Sequence, residues 1–490
     1  MSVFRVLDPT PCVDLRTYLS SGGGTALAQA RRNTPLQTVE DLRRSGLRGR
    51  GGAGFPTATK WQSILTNASA DHPTPVVING AEGEPSTFKD RTILRNNPYR
   101  VLEGALVAVA VVGAVELVVC LKQSFHAEWE RVTKALVEIT AEGWLDGLRV
   151  TLIAGPSSYL FGEETALLEV VEHRQPFPRV TPPWRRGLTE TEAGSNTSSI
   201  VELATAEETG GAPALVNNVE TFANVALIGQ HGVDWFREMG TPDSPGTIVC
   251  TIVGDVKSHG VAEFPMGATL RAVIEEVSGG PRNGRRLVAA LPGASSVLID
   301  ETGLDTPLTH EAMHAVGSAL GSAGFHCVDD AADLFALAYG ASRFLSVESC
   351  GQCTPCKEDG IAVTEMLKQL MSGTAAANVE TQIESRLSTV VKGARCSLAS
   401  QQQNVVGSLV KLCATATIPT DLPPVTTTEL ERKHTILPLL DIVNGAAVLD
   451  ENHGAKNYDW TYNDVDSGVF PAQRLQDEPM DLAPPSVQVS

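Results

Sequence analysis

The chain reads as an α/β domain on a parallel sheet, then a small ubiquitin-like α+β domain, then a helical segment carrying clustered cysteines. Three observations predict this. Between residues 76 and 240, apolar strand-like runs alternate with helical ones, the pattern of a parallel sheet with helices on its faces. Residues 246–300 carry short strand-like runs around a single helical run. Residues 330–415 are mostly helical by pattern and contain Cys350, Cys353, Cys356, Cys396 and Cys413. The length of 490 residues suggests about three domains. We divide the chain into a leader (1–37), the α/β domain (38–240), the ubiquitin-like domain (241–329), the helical domain (330–415) and an extended tail (416–490).

The leader has few strong signals. Its start, MSVFRVLDPT, lacks a basic region followed by an apolar run, so no signal peptide is expected. From residue 38 to 47 a short amphipathic helix is expected, with Thr38 as its cap and Asp41 in its first turn. A glycine-dense loop follows, RGRGGAGFP at 48–56. VVING (76–80), LVVCL (117–121) and LRVTLIAG (148–155) read as buried strands, and the segments near 98–112 and 126–140 as helices. The longest apolar stretch, 105–120, is interrupted by Glu116, and a spanning helix needs about 20 apolar residues. It reads as a buried helix passing through Gly113 into a buried strand, with no direct membrane span.

GTIVCTIVGDV opens the second domain, and residues 269–278 read as its helix, ended by Gly279 and Gly280. Beyond about 416, prolines, threonines and charges replace the periodic signal; a tail of this kind is expected to be ordered only where it runs over the body or a partner. The formal net charge of −19 argues against nucleic acid, because phosphate binding needs a basic surface.

The cysteines carry the most specific chemistry. In SCGQCTPC (349–356), Cys350, Cys353 and Cys356 bring three sulfurs around one face of a cubane, one thiolate per iron. Cys396, in GARCSLA, is the best fourth ligand; Cys413, in the apolar run SLVKLCATA, looks like a core cysteine. A zinc site is the blander alternative, but its usual pattern is two separated pairs.

In the loop at 48–56, glycines let backbone N–H groups approach an anion closely, and a following helix N-terminus adds positive potential. Lys60 is placed to contact a phosphate. The loop is neither a Rossmann GxGxxG nor a Walker loop, and a flexible surface turn is the plain alternative. Asn79, Glu82 and Glu84 follow directly on the strand at 76–78, where ligand groups of open α/β sheets sit. Tyr159, Glu163 and Glu164 follow the strand at 150–154 after a short turn; such carboxylates accept hydrogen bonds from ribose, or are simply first-turn residues of a helix. Asn217, Asn218 and Thr221 offer amides and a hydroxyl to a polar ring or chain, or cap the helix that follows.

In order, RGRGGAGFP with Lys60 and Trp61, N-x-x-E-G-E-P at 79–85, Y-x-x-G-E-E-T-A-L at 159–167, P-R…P-P at 178–183, NNVET at 217–221 and SCGQCTPC resemble the flavin- and NADH-binding subunit of respiratory complex I. They also resemble the homologous diaphorase subunits of NAD-linked hydrogenases and formate dehydrogenases, over about residues 38–415. The resemblance implies a Rossmann-like flavin domain, an SLBB-type ubiquitin-like domain and a helical bundle with one [4Fe–4S] cluster. It places FMN against Gly49, Arg50, Gly51, Gly52, Lys60, Asn79, Asn217, Asn218 and Thr221, with Glu82 in the same cofactor-binding set. It places NADH near Phe55, Glu84, Tyr159, Glu163, Glu164 and Trp184. The chain departs from the family at Ala81 (usually aspartate), Ser86 (usually glycine), Ser63 (often aromatic) and Phe161 (often cysteine); NGAEGEP is closer to the related C subunit of Rnf complexes.

The expected activity is that of an NADH dehydrogenase (diaphorase) subunit: hydride transfer from NADH to FMN, then single electrons through the cluster to a partner. Two alternatives stand beside it: the same module in reverse, reducing NAD with electrons from formate or hydrogen, and a flavin-free scaffold that keeps only the cluster. Only Cys12 precedes residue 100 and no cysteine follows Cys413, so onward clusters are expected in another chain, a thioredoxin-like [2Fe–2S] or ferredoxin-type subunit. The expected location is cytoplasmic, peripheral to the membrane through partners.

Overall fold

The computed structural model describes residues 1–68, 73–188, 212–415, 436–476 and 480. Four strands form the first sheet: β1 (Val76–Gly80), β2 (Glu116–Lys122), β3 (Arg149–Gly155) and β4 (Leu215–Asn218). They are all parallel, in the order β3-β2-β1-β4. Such a sheet is covered on both faces, so its strands are apolar throughout rather than alternating. Val76, Ile78, Leu117 and Val119 join the core under the helices Pro98–Val112 and Val219–His231. Val77, Val118, Cys120 and Val216 join a second core with Leu167 and Leu168 of the helix Glu164–Val171.

The apolar stretch at 105–120 divides as its glycine predicts. The helix Pro98–Val112 ends at Gly113, whose φ of 66° is left-handed, and β2 begins three residues later. Among the described residues no helix is long and apolar enough to cross a membrane.

The leader is more structured than its sequence suggests. The first core helix of the α/β region starts at Pro35, not Thr38: Thr34 and Gln37 form a capping box and Pro35 sits in the first turn. Two further helices, Leu15–Ser20 and Thr25–Ala30, precede it. Residues 5–7 are tied to the second domain by the buried Glu263 carboxylate, which accepts from the backbone N–H groups of Arg5, Val6 and Leu7 at 2.9 Å each.

The second sheet comprises β5 (Thr247–Gly254), β6 (Gly260–Pro265), β7 (Leu287–Pro292), β8 (Ile299–Asp300) and β9 (Gly324–Asp329), in the order β6-β5-β9-β7-β8. One helix, Leu270–Ser278, packs on it through Leu270, Val273 and Ile274. Thr269 is its N-cap rather than its first residue, and Gly279 ends it at a φ of 73°. The third region is helical: Leu334–Glu348, Thr354–Met371, Val379–Thr389, Leu398–Gln401 and Gly407–Thr415, with a π-helical turn at Gln402–Val406.

The tail runs over the body, as expected of it, but holds regular structure where an extended segment was expected. Residues 416–435 lie outside the described residues, but β10 (Leu439–Val443) and β11 (Ala446–Leu449) form an antiparallel hairpin. Its turn is Asn444-Gly445, both at positive φ, the pair that a two-residue hairpin turn selects.

Candidate functional site

The strands of the first sheet progress one way from β1 to β3, while β4 lies on the other side of β1. The carboxyl ends of β1 and β4 therefore flank the point where strand order reverses, where open α/β sheets bind ligands. Asn79 of β1 and Asn218 of β4 are register partners there. A cleft of about 620 Å³ opens above them, within the range of small-molecule pockets.

The structure gathers Gly49, Gly51, Gly52, Phe55, Lys60, Asn79, Glu82, Glu84, Tyr159, Glu163, Glu164, Trp184, Asn217, Asn218 and Thr221 around this cleft. Arg50 is the exception. Its backbone N–H is spent on Thr221 Oγ1 (2.9 Å), and its buried guanidinium turns away toward Pro245 O and Glu220. A flanking glycine loop must face the ligand with backbone, and the bulky residue between the glycines goes to the opposite side.

The loop is a tight reversal, not a flexible turn. Gly49 N donates to Phe55 O (2.8 Å), Arg48 Nε to Gly54 O (2.7 Å) and Thr57 N to Leu47 O (3.0 Å). Gly52 and Gly54 have φ of 121° and 61°, closed to ordinary side chains. A Cβ on Gly51 would stand 3.1 Å from Asn218 Cβ. The helix Thr57–Asn67 then begins at the cleft, with Thr57 and Lys60 in the wall and no side-chain cap on its N-terminus. Backbone-lined walls, an uncapped helix start and a lysine fit a phosphate-bearing flavin.

Several acidic and amide groups already have partners. Glu163 is the N-cap of Glu164–Val171: it accepts from Thr165 N (3.0 Å), Thr165 Oγ1 (2.5 Å) and Ala166 N (2.8 Å), and burial raises its pKa. Glu164 instead meets Lys60 Nζ across the cleft. Glu82 accepts from Asp90 N (3.0 Å) and Arg91 Nε (2.9 Å), so it holds the loop rather than facing the cavity with free oxygens. Glu84 reaches the second domain, accepting from Ala294 N (3.2 Å) and Ser322 Oγ, and burial raises its pKa. Asn218 caps Val219–His231 through Glu220 N (3.0 Å). Asn217, with its amide turned to satisfy both ends, accepts from Trp61 Nε1 and donates to Val216 O, each at 2.9 Å.

Sequence reasoning missed part of the wall. Lys89 is buried and donates to Asp90 Oδ1 (2.6 Å) and Asn218 Oδ1 (3.1 Å) on the cleft floor. Burial pushes the Asp90 carboxyl up, against the pull of Lys89. Ser295, Ser296, Gly321 and Ser322 come from the second domain, and Cys396, Ser397, Leu398, Ser400 and Gln401 from the third. The signal for Lys89 and Asp90 was their place in FKDR just past the acidic motif, and Cys396 is legible as a cluster ligand though not as part of this wall; the second-domain segments carry no signal. Of the departures, Ala81 lines the cleft and is buried, Phe161 is buried against Gly155, and Ser63 lies outside the wall, bonded to Thr59 O. Ser86 holds a φ of 69°, which explains why glycine suits that position.

The cysteines meet at one end of the third region. Cys350 follows the helix Leu334–Glu348; Cys353 is the N-cap of Thr354–Met371, and Cys356 lies in its first turn. A helix N-terminus stabilises thiolates. Cys396 arrives on the turn before Leu398–Gln401, and all four belong to or pack against one core. Burial pushes the Cys356 thiol up to about 11, and Cys350 and Cys353 add to the rise; burial also raises Cys396, with Cys350 and Cys356 adding. Cys413, pushed up to about 12 by burial, feels Asp333 and Glu380 but none of the other cysteines. Among the described residues no three His, Cys, Asp or Glu side chains converge on a single ion; a cubane asks for something different, one thiolate for each iron.

Residues 42–227 match the family model described as the Nuo51 FMN-binding domain, residues 249–300 the SLBB domain, and residues 336–416 the NADH-ubiquinone oxidoreductase-F iron-sulfur binding region. The chain is 35% identical over 394 residues to the F 2 subunit of NADH-quinone oxidoreductase from Rhizobium meliloti (strain 1021), covering 78% of this chain and 89% of the relative. It is 35% identical over 368 residues to the F subunit of NADH-quinone oxidoreductase from Streptomyces coelicolor (strain ATCC BAA-471 / A3(2) / M145), covering 73% and 77%. It is similar to a chain in the crystal structure of an NAD+-reducing [NiFe]-hydrogenase in the air-oxidized state, with a TM-score of 0.68 and 28% identity over 87% of this chain and 71% of that one.

Proposed function

Because the chain belongs to the family of NADH-quinone oxidoreductase F subunits, we propose that it is the NADH-oxidising, electron-entry subunit of a redox assembly. Bound FMN supplies the change from a two-electron hydride to single electrons, and a [4Fe–4S] cluster carries these onward. The chain's own residues bind, orient and exclude. The loop at 48–56 and the start of Thr57–Asn67 hold the flavin phosphate, with Lys60 as its counter-charge. Asn79, Asn217, Asn218 and Thr221 would offer the flavin their amides and hydroxyl. Phe55, Tyr159 and Trp184 wall the dinucleotide, and Glu164 takes its ribose. Cys350, Cys353, Cys356 and Cys396 hold the cluster.

One observation carries the reading: Cys396, Ser397, Leu398, Ser400 and Gln401 wall the same cleft that the glycine loop lines. The cluster's ligand segment is thus part of the flavin site, the adjacency that single-electron hand-over needs. The proposed partners are a thioredoxin-like [2Fe–2S] or ferredoxin-type subunit, and the proposed location is cytoplasmic. The likeness to an NAD+-reducing hydrogenase favours a second reading, the same module run toward NAD reduction.

The visible spectrum of the anaerobically purified chain tests the proposal. A flavin band that bleaches on adding NADH is expected, with ferricyanide restoring it. Protein without flavin that leaves NADH unoxidised would support the scaffold alternative instead.

A further inference from the structure

The tail lies beyond the matched iron-sulfur region, yet it is fastened to the loop that carries the cysteines. Glu348 ends its helix two residues before Cys350 and is buried. Its Oε1 accepts from Lys456 Nζ (2.8 Å) and lies 2.7 Å from His453 Nε2; its Oε2 accepts from Tyr159 N (2.9 Å). Lys456 and His453 are themselves buried, so this is an enclosed charge cluster and not a surface pair.

The backbone is stitched as well. Ala472 N donates to the carbonyl of Cys350 (2.8 Å), and Trp460 Nε1 to the carbonyl of Val347 (2.7 Å). Arg343 Nη2 reaches Gly454 O (2.7 Å) and Lys456 O (3.0 Å). Phe470 lies directly over Gly351, where an added Cβ would stand 2.5 Å from Phe470 Cβ. The segment is braced within itself: Asp459 accepts from Thr461 N (2.9 Å) and Ser467 N (3.0 Å), and Arg474 donates to Asp459 O (2.7 Å).

We propose that residues 451–474 are a built-in cover of the cysteine ligand loop, fastened at Glu348, Val347 and Cys350, which keeps water and small solutes from the [4Fe–4S] cluster. The inference rests on the ligand set proposed above. Solvent exclusion bears on a cluster in two ways: it slows attack on the irons, and it sets the polarity around the sulfurs. The cover opens by local unfolding, and each lost contact raises the population of the open form.

The test is iron release from the full-length, anaerobically purified protein to bathophenanthroline disulfonate, comparing wild type with Phe470→Ala and Lys456→Met. Equal starting iron content with release about tenfold faster or more in both variants is expected. Equal iron with release within about twofold of wild type overturns the cover. A wild type that purifies without iron would count against the ligand set instead, which separates the two failures. Should the variants purify without iron, hydrogen exchange on the wild type decides. Protection of the Ala472 amide and of residues 350–353 at the level of the core helices supports the cover, and exchange at the rate of an open loop overturns it.

Discussion

Glu164→Gln isolates the selection of NADH over NADPH. The two adjacent glutamates look equivalent in sequence, but Glu163 is consumed by three hydrogen bonds at the helix start, whereas Glu164 faces the cleft and meets Lys60. The 2′-phosphate of NADPH brings about two negative charges at neutral pH. A unit pair about 4 Å apart is worth about 4 kcal/mol at an effective dielectric near 20. The Glu164 side chain is 40% exposed and partly neutralised by Lys60, so screening lowers this. We expect about 1.4–2.8 kcal/mol, a roughly ten- to hundredfold rise in the NADPH-to-NADH ratio of kcat/KM in Glu164→Gln. NADH turnover itself should fall by less than about tenfold, the loss of ribose hydrogen bonds to a charged acceptor. The assay is steady-state oxidation of each nucleotide with ferricyanide as acceptor. Glu163→Gln is the control: it weakens a helix cap, costs about 1 kcal/mol of stability and leaves the ratio near wild type. An unchanged ratio in Glu164→Gln, or an equal shift in both variants, would refute the assignment.

Cys396→Ser should lose most of about four irons per chain under anaerobic purification, and Cys413→Ser should keep them; the reverse ranking would reassign the fourth ligand. Gly52→Val should yield flavin-free protein that still contains iron, because Gly52 holds a φ of 121° at the cleft wall; full flavin occupancy, read from the visible spectrum, would count against the loop. Burial holds the His310 imidazole down at about 3, with Arg50 and Arg48 adding, so the folded state keeps it neutral. The unfolded ring binds a proton below about 6.5, so stability is full above that pH and falls as pH drops. By pH 5.5 this one group should cost about 1.4 kcal/mol. His310→Phe should lack that part of the loss in urea unfolding at pH 7 and 5.5. Equal losses in the two proteins would show that the ring titrates freely.

What sequence determined about this protein is what neighbours along the chain decide. Strands apolar at every position announce a sheet covered on both faces, and Gly113 marks where helix becomes strand because only a left-handed residue ends that helix cheaply. Thr269 and Gly279 bound their helix for the same local reasons. The spacing of Cys350, Cys353 and Cys356 is chemistry written in order. The Asn444-Gly445 turn is equally local, but the prolines and charges around it mask its signal in the composition of the tail.

Tertiary structure alone decided which of the legible residues share a site and which way each faces. Periodicity cannot say that β4 lies beside β1, so it cannot say that the Asn218 cap, Lys89 and the cysteine segment at 396–401 meet over one sheet edge. It cannot separate Glu163, whose oxygens a helix start consumes, from Glu164, whose oxygens it leaves to the cleft, nor turn the Arg50 side chain away from a loop that presents backbone. Nor can it show that a polar tail gains order by closing on Glu348. Those outcomes depend on partners a hundred or more residues away, such as Lys456 for Glu348 and Glu263 for Val6, and burial sets their strength.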